Sequence, residues 1–326
     1  MKICVYGAGA IGGLMAAWLA RAGHEVSLVA RGAQLDAIRR DGLRIRSQGK
    51  TESFRIKADA NPAAFGAQDY VLVTVKAQNL TDVASSIGPL LGRDTSVVTA
   101  MNGVPWWFFH GLKRPDKRLE SLDPGGRLAQ AIATERVVGC VIHLAASTPE
   151  PGIVSHNMGA RLILGEPGGE NTARTKRIAE ALGSAGFEVV VSRTIEKEFW
   201  VKLLGNVSFN PVSALTVSTA DRLIEDPLVK DYMVGIMREV LAIGRAVGVD
   251  AAIDPEARID MARVLGKFKT STLQDLEAGK PLEVDGLLAG TLEIAQKAGV
   301  QAPLTQSLFG LIRTRAQSTG QYKKTA

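Results

Sequence analysis

KICVYGAGAIGG, residues 2–13, decides how the rest of the chain is read. A mostly apolar run ends at Tyr6, six residues follow as Gly7-Ala8-Gly9-Ala10-Ile11-Gly12, and an Ala-rich stretch, MAAWLARAG, comes next. A GxGxxG pattern alone is weak, but one that closes a strand and opens a helix is the dinucleotide fingerprint. The three glycines differ in what they do. Gly7 permits the tight turn, Gly9 admits a pyrophosphate to the backbone N–H groups, and Gly12 lets helix and strand pack closely. The helix N-terminus then presents its partial positive charge to the phosphates. The same glycines, with Gly13, interrupt a run that would otherwise imitate a secretory leader. No stretch of the 326 residues holds the roughly 18 consecutive apolar residues of a spanning helix, so no membrane segment is expected.

Outward from this loop, strand-like runs recur to about residue 193: KICVY (2–6), HEVSLVA (24–30), YVLVTV (70–75), SVVTA (96–100), VVGCVIHLAA (137–146), RLILG (161–165) and FEVVVS (187–192). Several are continuously apolar, as in strands covered on both faces of a mostly parallel sheet. Helical segments fit at 11–22, 33–41 and 79–91. This alternation predicts an α/β fold, a Rossmann-type doubly wound sheet. After residue 193 the periodicity is helical, at 195–209, 222–248, 255–278, 283–299 and 304–317. The expected organisation is therefore a nucleotide-binding domain over 1–193 and an all-helical domain over 194–326.

The end of the second strand discriminates between nicotinamide cofactors. NAD-dependent enzymes usually place a carboxylate there for the ribose 2′-OH. Here the chain reads Ala30-Arg31, with no carboxylate, and a guanidinium can fork onto a 2′-phosphate. Arg31 thus points to NADP, against the plainer reading of a solvated loop cation. Lys76 after YVLVTV, and Asn102 in Met101-Asn102-Gly103 after SVVTA, stand where strand carboxyl ends of open α/β sheets meet their ligands.

The stretch WVKLLGNVSFNP, 200–211, sets Lys202, Asn206 and Asn210 at i, i+4 and i+8 in an otherwise apolar helix. One reading has Lys202 snorkelling to water and the amides capping locally, with Pro211 ending the helix near Asn210. The other has the stripe lining a cleft toward the nucleotide domain. There, Lys202 would protonate an alkoxide formed from a carbonyl, and the amides would bind substrate oxygens. Further on, KTSTLQDLEAGKPLEVDGLL (269–288) carries Ser271 and Glu283 about a predicted loop; Glu283 alone reads as a carboxylate near a helix N-terminus.

Composition removes other classes. Net charge is +6, from 39 basic and 33 acidic residues spread along the chain. There is no basic stripe with aromatic platforms, so a nucleic-acid role is not expected. Lys323 and Lys324 belong to an expected frayed terminus. Cys4 and Cys140 lie in strand-like runs and are expected to be buried thiols, which suits a reducing, cytoplasmic setting. His24, His110, His143 and His156 show no ligand spacing, so no metal site is expected. VPWWFFHGLKRPDKRLESLDPGGRL, 104–128, reads as a long connection whose aromatics either anchor it or serve the substrate pocket or a subunit contact.

Together these residues resemble the ketopantoate reductases (2-dehydropantoate 2-reductases) of the 6-phosphogluconate-dehydrogenase-like superfamily. The pieces are GAGAIGG, Arg31, VTVKAQN, MNGV, FWVKLLGNVSFNPVSAL, STLQD and GKPLEVD, and the Lys-Asn-Asn-Pro block is the most specific. The resemblance implies that Gly7 to Gly12 and Arg31 bind NADPH, with Lys76 and Asn102 at cofactor and substrate. It implies Lys202 as proton donor, with Asn206, Asn210 and Ser271 holding substrate oxygens. Glu283 matches an active-site glutamate touching substrate or cofactor, and Ala145 matches a backbone contact to the cofactor. The implied reaction takes ketopantoate to pantoate, on the route to coenzyme A. Departures cluster at the substrate rim: TVSTADRL with Ala220, Asp285-Gly286-Leu287-Leu288-Ala289, and the aromatic insertion at 106–109 with the extended loop 110–130. They leave room for a paralogue reducing another 2-keto or 3-keto acid; a non-catalytic NADP sensor is disfavoured by the intact Lys202, Asn206, Asn210 and Glu283. The long helices of the second domain offer surface for a homodimer.

Overall fold

The computed structural model describes residues 1–112, 114 and 118–323. Contacts divide the chain into two compact units: Met1–Met101 with Gly126–Ile195, and Asn102–Gly125 with Glu196–Ala326. The first domain expected over 1–193 is therefore not continuous, because residues 102–125 group with the helical unit. The cause is packing. Val104, Phe108, Phe109, Leu119 and Leu122 join the same apolar core as Trp200, Leu203 and Val207.

The first unit is built on a mixed ten-stranded sheet. Its strands are β1 (Lys2–Tyr6), β2 (Glu25–Val29), β3 (Leu43–Ser47), β4 (Lys50–Phe54), β5 (Lys57–Asp59), β6 (Gln68–Val73), β7 (Leu91–Thr99), β8 (Val137–Glu150), β9 (Ile153–Gly165) and β10 (Glu188–Val191). The order is β4-β3-β9-β8-β7-β6-β1-β2-β5, with β10 also paired to β9. β1 lies between β2 and β6, parallel to both. Ile3, Cys4 and Val5 are fully buried there, which explains why β1 reads as a continuous apolar run. The helix Ala10–Arg21 packs Leu14, Met15 and Leu19 into the same core.

Several expectations need correction. The hairpin β3–β4 has no counterpart among the expected strands; Gln48 and Gly49 both take positive φ, as a two-residue primed turn requires. Strand β5 and the helix Ala173–Ala185 are also additional. The helix expected over 79–91 is confined to Leu80–Ser86, since Gly88 and Pro89 begin a separate 3₁₀ turn.

In the second unit the principal helices are Ile195–Thr216, Pro227–Ala246, Pro255–Ala262, Gly290–Ala298 and Pro303–Ser318. The helix expected to stop near Asn210 instead runs through Pro211 to Thr216. Val207, Val212 and Ala214 are buried on either side of the proline, and their packing outweighs the hydrogen bond it forfeits. The pattern over 222–248 breaks at Asp226, whose carboxylate accepts from Leu228 N and Val229 N and starts a new helix at Pro227. That over 255–278 breaks at Gly266, at φ +56°.

Candidate active site

The loop after β1 has the form of a phosphate cradle. Gly7 sits at φ +116°, and a side chain there would reach within 2.8 Å of Val75 Cγ1. A Cβ on Gly12 would lie 1.9 Å from Gly7 O and 2.3 Å from Thr74 Oγ1. Gly9 differs: it is exposed, and no protein atom lies within 4 Å of a Cβ built on it. The two outer glycines thus serve packing, while the middle one faces open space. Gly9 also caps the helix Ala10–Arg21 without a side-chain hydrogen bond, and the first turn holds no acid. Ala8, Ala10 and Ile11 complete a loop whose amide donors are left for an anion.

Neighbouring strands bring further residues to this loop. Gly7 N donates to Val29 O at the end of β2 (3.1 Å), and Thr74 N donates to Tyr6 O after β6 (3.0 Å). Gln34 ties the loops together, donating from Nε2 to Ala8 O and accepting from Gly152 N. Arg31, two residues past β2, is exposed and pairs with Asp82 Oδ2 at 2.9 Å. The sequence pattern marked Arg31 but not Asp82, which lies in the first turn of the helix Leu80–Ser86. Lys76 is half-buried at the start of the turn Ala77–Asn79. Ala145 pairs with Met158 across β8 and β9, between two register shifts.

The second unit holds the polar stripe. Lys202 Nζ donates to Asn102 Oδ1 at 2.8 Å, so the ammonium is held by a residue of the excursion Asn102–Gly125 rather than snorkelling alone. Both residues are half-buried. Asn206 is half-buried one turn on and Asn210 is 8 % exposed. Among the described residues, neither amide makes a side-chain hydrogen bond to the protein, so their donors and acceptors are not spent on local capping.

The four aromatics decide between the two readings of 104–128 in favour of anchoring. Trp106 to Phe109 are at most 3 % exposed. Phe108 stacks on Trp200 at 5.3 Å and Trp107 meets Phe199 edge-on at 5.4 Å. Lower in the excursion, Glu293 accepts from Glu120 N, Ser121 N and Ser121 Oγ. At its start, Val104 N donates to Gly286 O, and Gly103 comes so close that a Cβ would lie 2.2 Å from that oxygen. Asn102 directly precedes these anchors.

Ser271 is exposed at the start of the helix Ser271–Glu277, whose Thr270 cap accepts from Leu273 N. Glu283 is half-buried, just before the single π-turn Asp285–Ala289. The loop leading to Glu283 is clamped from the C-terminus. Gln321 donates to Asp275 O, Leu276 O and Lys280 O, and Tyr322 OH bonds Asp285. The terminus expected to fray from Lys323 and Lys324 is thus docked as far as Tyr322; Lys324 lies outside the described residues. Ala220, expected at the substrate rim, is buried, at 2 % exposed. Cys4 and Cys140 are both buried thiols. Among the described residues no group of three or more His, Cys, Asp or Glu is able to hold a metal, and no helix is long and apolar enough to cross a membrane.

Comparison with known proteins gives the same architecture. Residues 3–169 match the family model described as ketopantoate reductase PanE/ApbA, and residues 194–316 match its C-terminal model. A 2-dehydropantoate 2-reductase of Mesorhizobium japonicum is 44% identical over 99% of this chain and 100% of its own length. Another, from Pyrococcus horikoshii, is 30% identical over 98% of this chain and 99% of its own. A solved structure from Ralstonia solanacearum MolK2, provisionally named a ketopantoate reductase, superposes with TM-score 0.94 at 46% identity, covering 98% of this chain and 99% of that one. The strand–glycine–helix cradle, the Lys-Asn-Asn stripe and these full-length matches agree: the chain belongs to the ketopantoate reductase family.

Proposed function

We propose that this protein reduces 2-dehydropantoate (ketopantoate) to pantoate with NADPH. The observation that carries the reading is the Lys202–Asn102 hydrogen bond beside two amides with no protein partner among the described residues. The cradle fits the dinucleotide: Gly9 opens where a pyrophosphate needs the backbone, above an uncapped helix N-terminus. Arg31 would take the 2′-phosphate in place of Asp82. Lys76 and the Ala145 backbone would complete the cofactor contacts.

When bound, NADPH supplies a hydride to the ketone carbon. Lys202 supports that step from the oxygen side. Its ammonium donates to the carbonyl oxygen, draws off the negative charge that develops, and passes a proton to the alkoxide. Ketone, hydride and proton balance to the secondary alcohol, and Lys202 regains its proton from water. Asn102 Oδ1 aims the ammonium. Asn206, Asn210 and Ser271 hold oxygens of the substrate, and Glu283 contacts substrate or cofactor. A cytoplasmic setting is supported by the two buried thiols, and a homodimer by the exposed Leu228, Met261 and Val264 of the helical unit.

The test is NADPH oxidation against a panel of small 2-keto acids, with Lys202→Ala as control. Ketopantoate is expected to give the highest kcat/KM. Turnover of other acids but not ketopantoate would shift the reading to a paralogous reductase, and tight NADPH binding without turnover to a sensor.

A further inference from the structure

Arg258 lies on the helix Pro255–Ala262 and has no acidic partner among the described residues. Every carboxylate near it on that helix is committed elsewhere. Asp254 caps the helix through Glu256 N and Ala257 N. Glu256 pairs with Arg238 at 3.0 Å. Asp260 pairs with Arg263 at 3.0 Å and Lys230 at 3.4 Å. The backbone N–H of Arg258 donates to Asp254 O, and among the described residues its guanidinium makes no hydrogen bond to the protein. The side chain is nevertheless half-buried, and burial pushes its pKa below the ordinary arginine range. A guanidinium withdrawn from water without a counter-charge is costly unless an anion arrives to share it.

Its position says which anion. The guanidinium rests on Gly205, with a terminal nitrogen 3.3 Å and Cζ 3.9 Å from where a Cβ would stand. Gly205 directly precedes Asn206 and follows Lys202 by three residues, which places it about 60° around the helix from Lys202. Between Trp200 and Asn210, Val201, Lys202, Gly205 and Asn206 are half-buried and the rest are buried, so Gly205 shares the more open face with Lys202 and Asn206. A larger residue at 205 would press the guanidinium away from that face.

We propose that Arg258 binds the carboxylate of the 2-keto acid, while Lys202 serves the adjacent ketone oxygen. The inference rests on the reductase reading above and adds a specificity-determining residue to it. Two cations on one face repel until a substrate with two neighbouring oxygen functions bridges them. The planar guanidinium fork matches a carboxylate in two parallel hydrogen bonds. A 2-keto acid has that arrangement; a simple ketone or an ester does not.

The experiment compares ketopantoate with its uncharged lactone, in the wild type, Arg258→Met and Arg258→Lys. Arg258→Met is expected to lower kcat/KM for ketopantoate about 100-fold through KM, and that for the lactone less than about three-fold. KM for NADPH should not move. Arg258→Lys, which keeps charge but loses the fork, should fall between, and carries the comparison if the Met variant does not fold. Parallel losses on both substrates, or no loss on either, would overturn the assignment and leave Arg258 a structural residue. A wild type that reduces neither compound would instead overturn the reductase reading, and this inference with it.

Discussion

Lys202 Nζ and Asn102 Oδ1 are 2.8 Å apart although a hundred positions separate them in the chain. The hydrogen bond fixes the direction of the ammonium on its flexible four-carbon stem, a pre-organisation that lysine otherwise lacks. Lys202→Ala should therefore lower kcat by about 10²–10⁴, the usual range for a positioned acid, with little change in KM for NADPH. Asn102→Ala keeps the ammonium but not its aim, and should cost less. Steady-state kinetics on both variants checks the order. An Asn102→Ala loss as large as that of Lys202→Ala would give Asn102 a role of its own on substrate or cofactor.

Asn102 owes its place to the aromatic anchor that follows it. Phe108 is fully buried and stacked on Trp200, whose Nε1 donates to Val240 O. Phe108→Ala should destabilise the helical unit by about 3–5 kcal/mol. In enzyme that remains folded, kcat should fall as well, because the excursion would hold Asn102 less firmly. Thermal unfolding and turnover on the same preparation test both effects. A loss of stability with kcat unchanged would show that the anchor is structural only.

The glycines of the cradle separate packing from ligand binding. Gly12→Ala forces a Cβ to 1.9 Å from Gly7 O, so backbone must move; a stability loss of about 1–3 kcal/mol or more is expected. Gly9→Ala meets nothing in the protein. Its melting temperature should stay near wild type while KM for NADPH rises, if the pyrophosphate approaches the backbone at Gly9 as proposed. Normal NADPH affinity in Gly9→Ala would move the dinucleotide away from this loop.

Much of this arrangement is legible in local sequence, and physics explains which part. The cradle is legible because a tight turn, a close backbone approach and a helix–strand contact each demand glycine at a set spacing. The stripe is legible because Lys202, Asn206 and Asn210 share one helical face. What is hidden is tertiary. Nothing near Arg31 announces Asp82, 51 positions later, and nothing near Lys202 announces Asn102. The fate of Pro211 depends on packing by Val207 and Val212, which overrides the local bias of a proline. The β3–β4 hairpin does carry a signal: Leu43 and Ile45 alternate with Arg44 and Arg46 before Gln48-Gly49. With one apolar face and only five residues in each strand, that signal is short.

Arg31 and Asp82 form an exposed ion pair, of a kind worth only about 0.2–1 kcal/mol. A 2′-phosphate, with more charge and more acceptors, should displace the carboxylate. Arg31→Ala is expected to raise KM for NADPH about 10- to 100-fold, in line with roughly 1.5–3 kcal/mol for charged hydrogen bonds, and to leave KM for NADH almost unchanged. Asp82→Asn removes the competitor and should lower KM for NADPH by a few-fold. If NADH serves the wild type as well as NADPH does, Arg31 is not the discriminating residue.

Cys4 makes a prediction about alkaline pH. It lies in β1 at 0 % exposure, and burial pushes its thiol from 9.0 to about 11. The folded chain therefore keeps the proton where the unfolded chain has begun to lose it. With a raised folded pKa, the contribution to stability is complete below pH 9 and declines as pH rises toward 11. A shift of that size corresponds to roughly 2–3 kcal/mol. Burial also raises Tyr70, Tyr232 and Tyr322, so the wild type loses stability in this range from more than one group. Cys4→Ala isolates the thiol: its stability will be lower at neutral pH because of the lost packing, but its decline between pH 9 and 11 should be shallower than that of the wild type by about that amount. Denaturant titrations at several pH values measure the two slopes, and equal slopes would mean that the thiol ionises as readily in the folded protein as in the unfolded one.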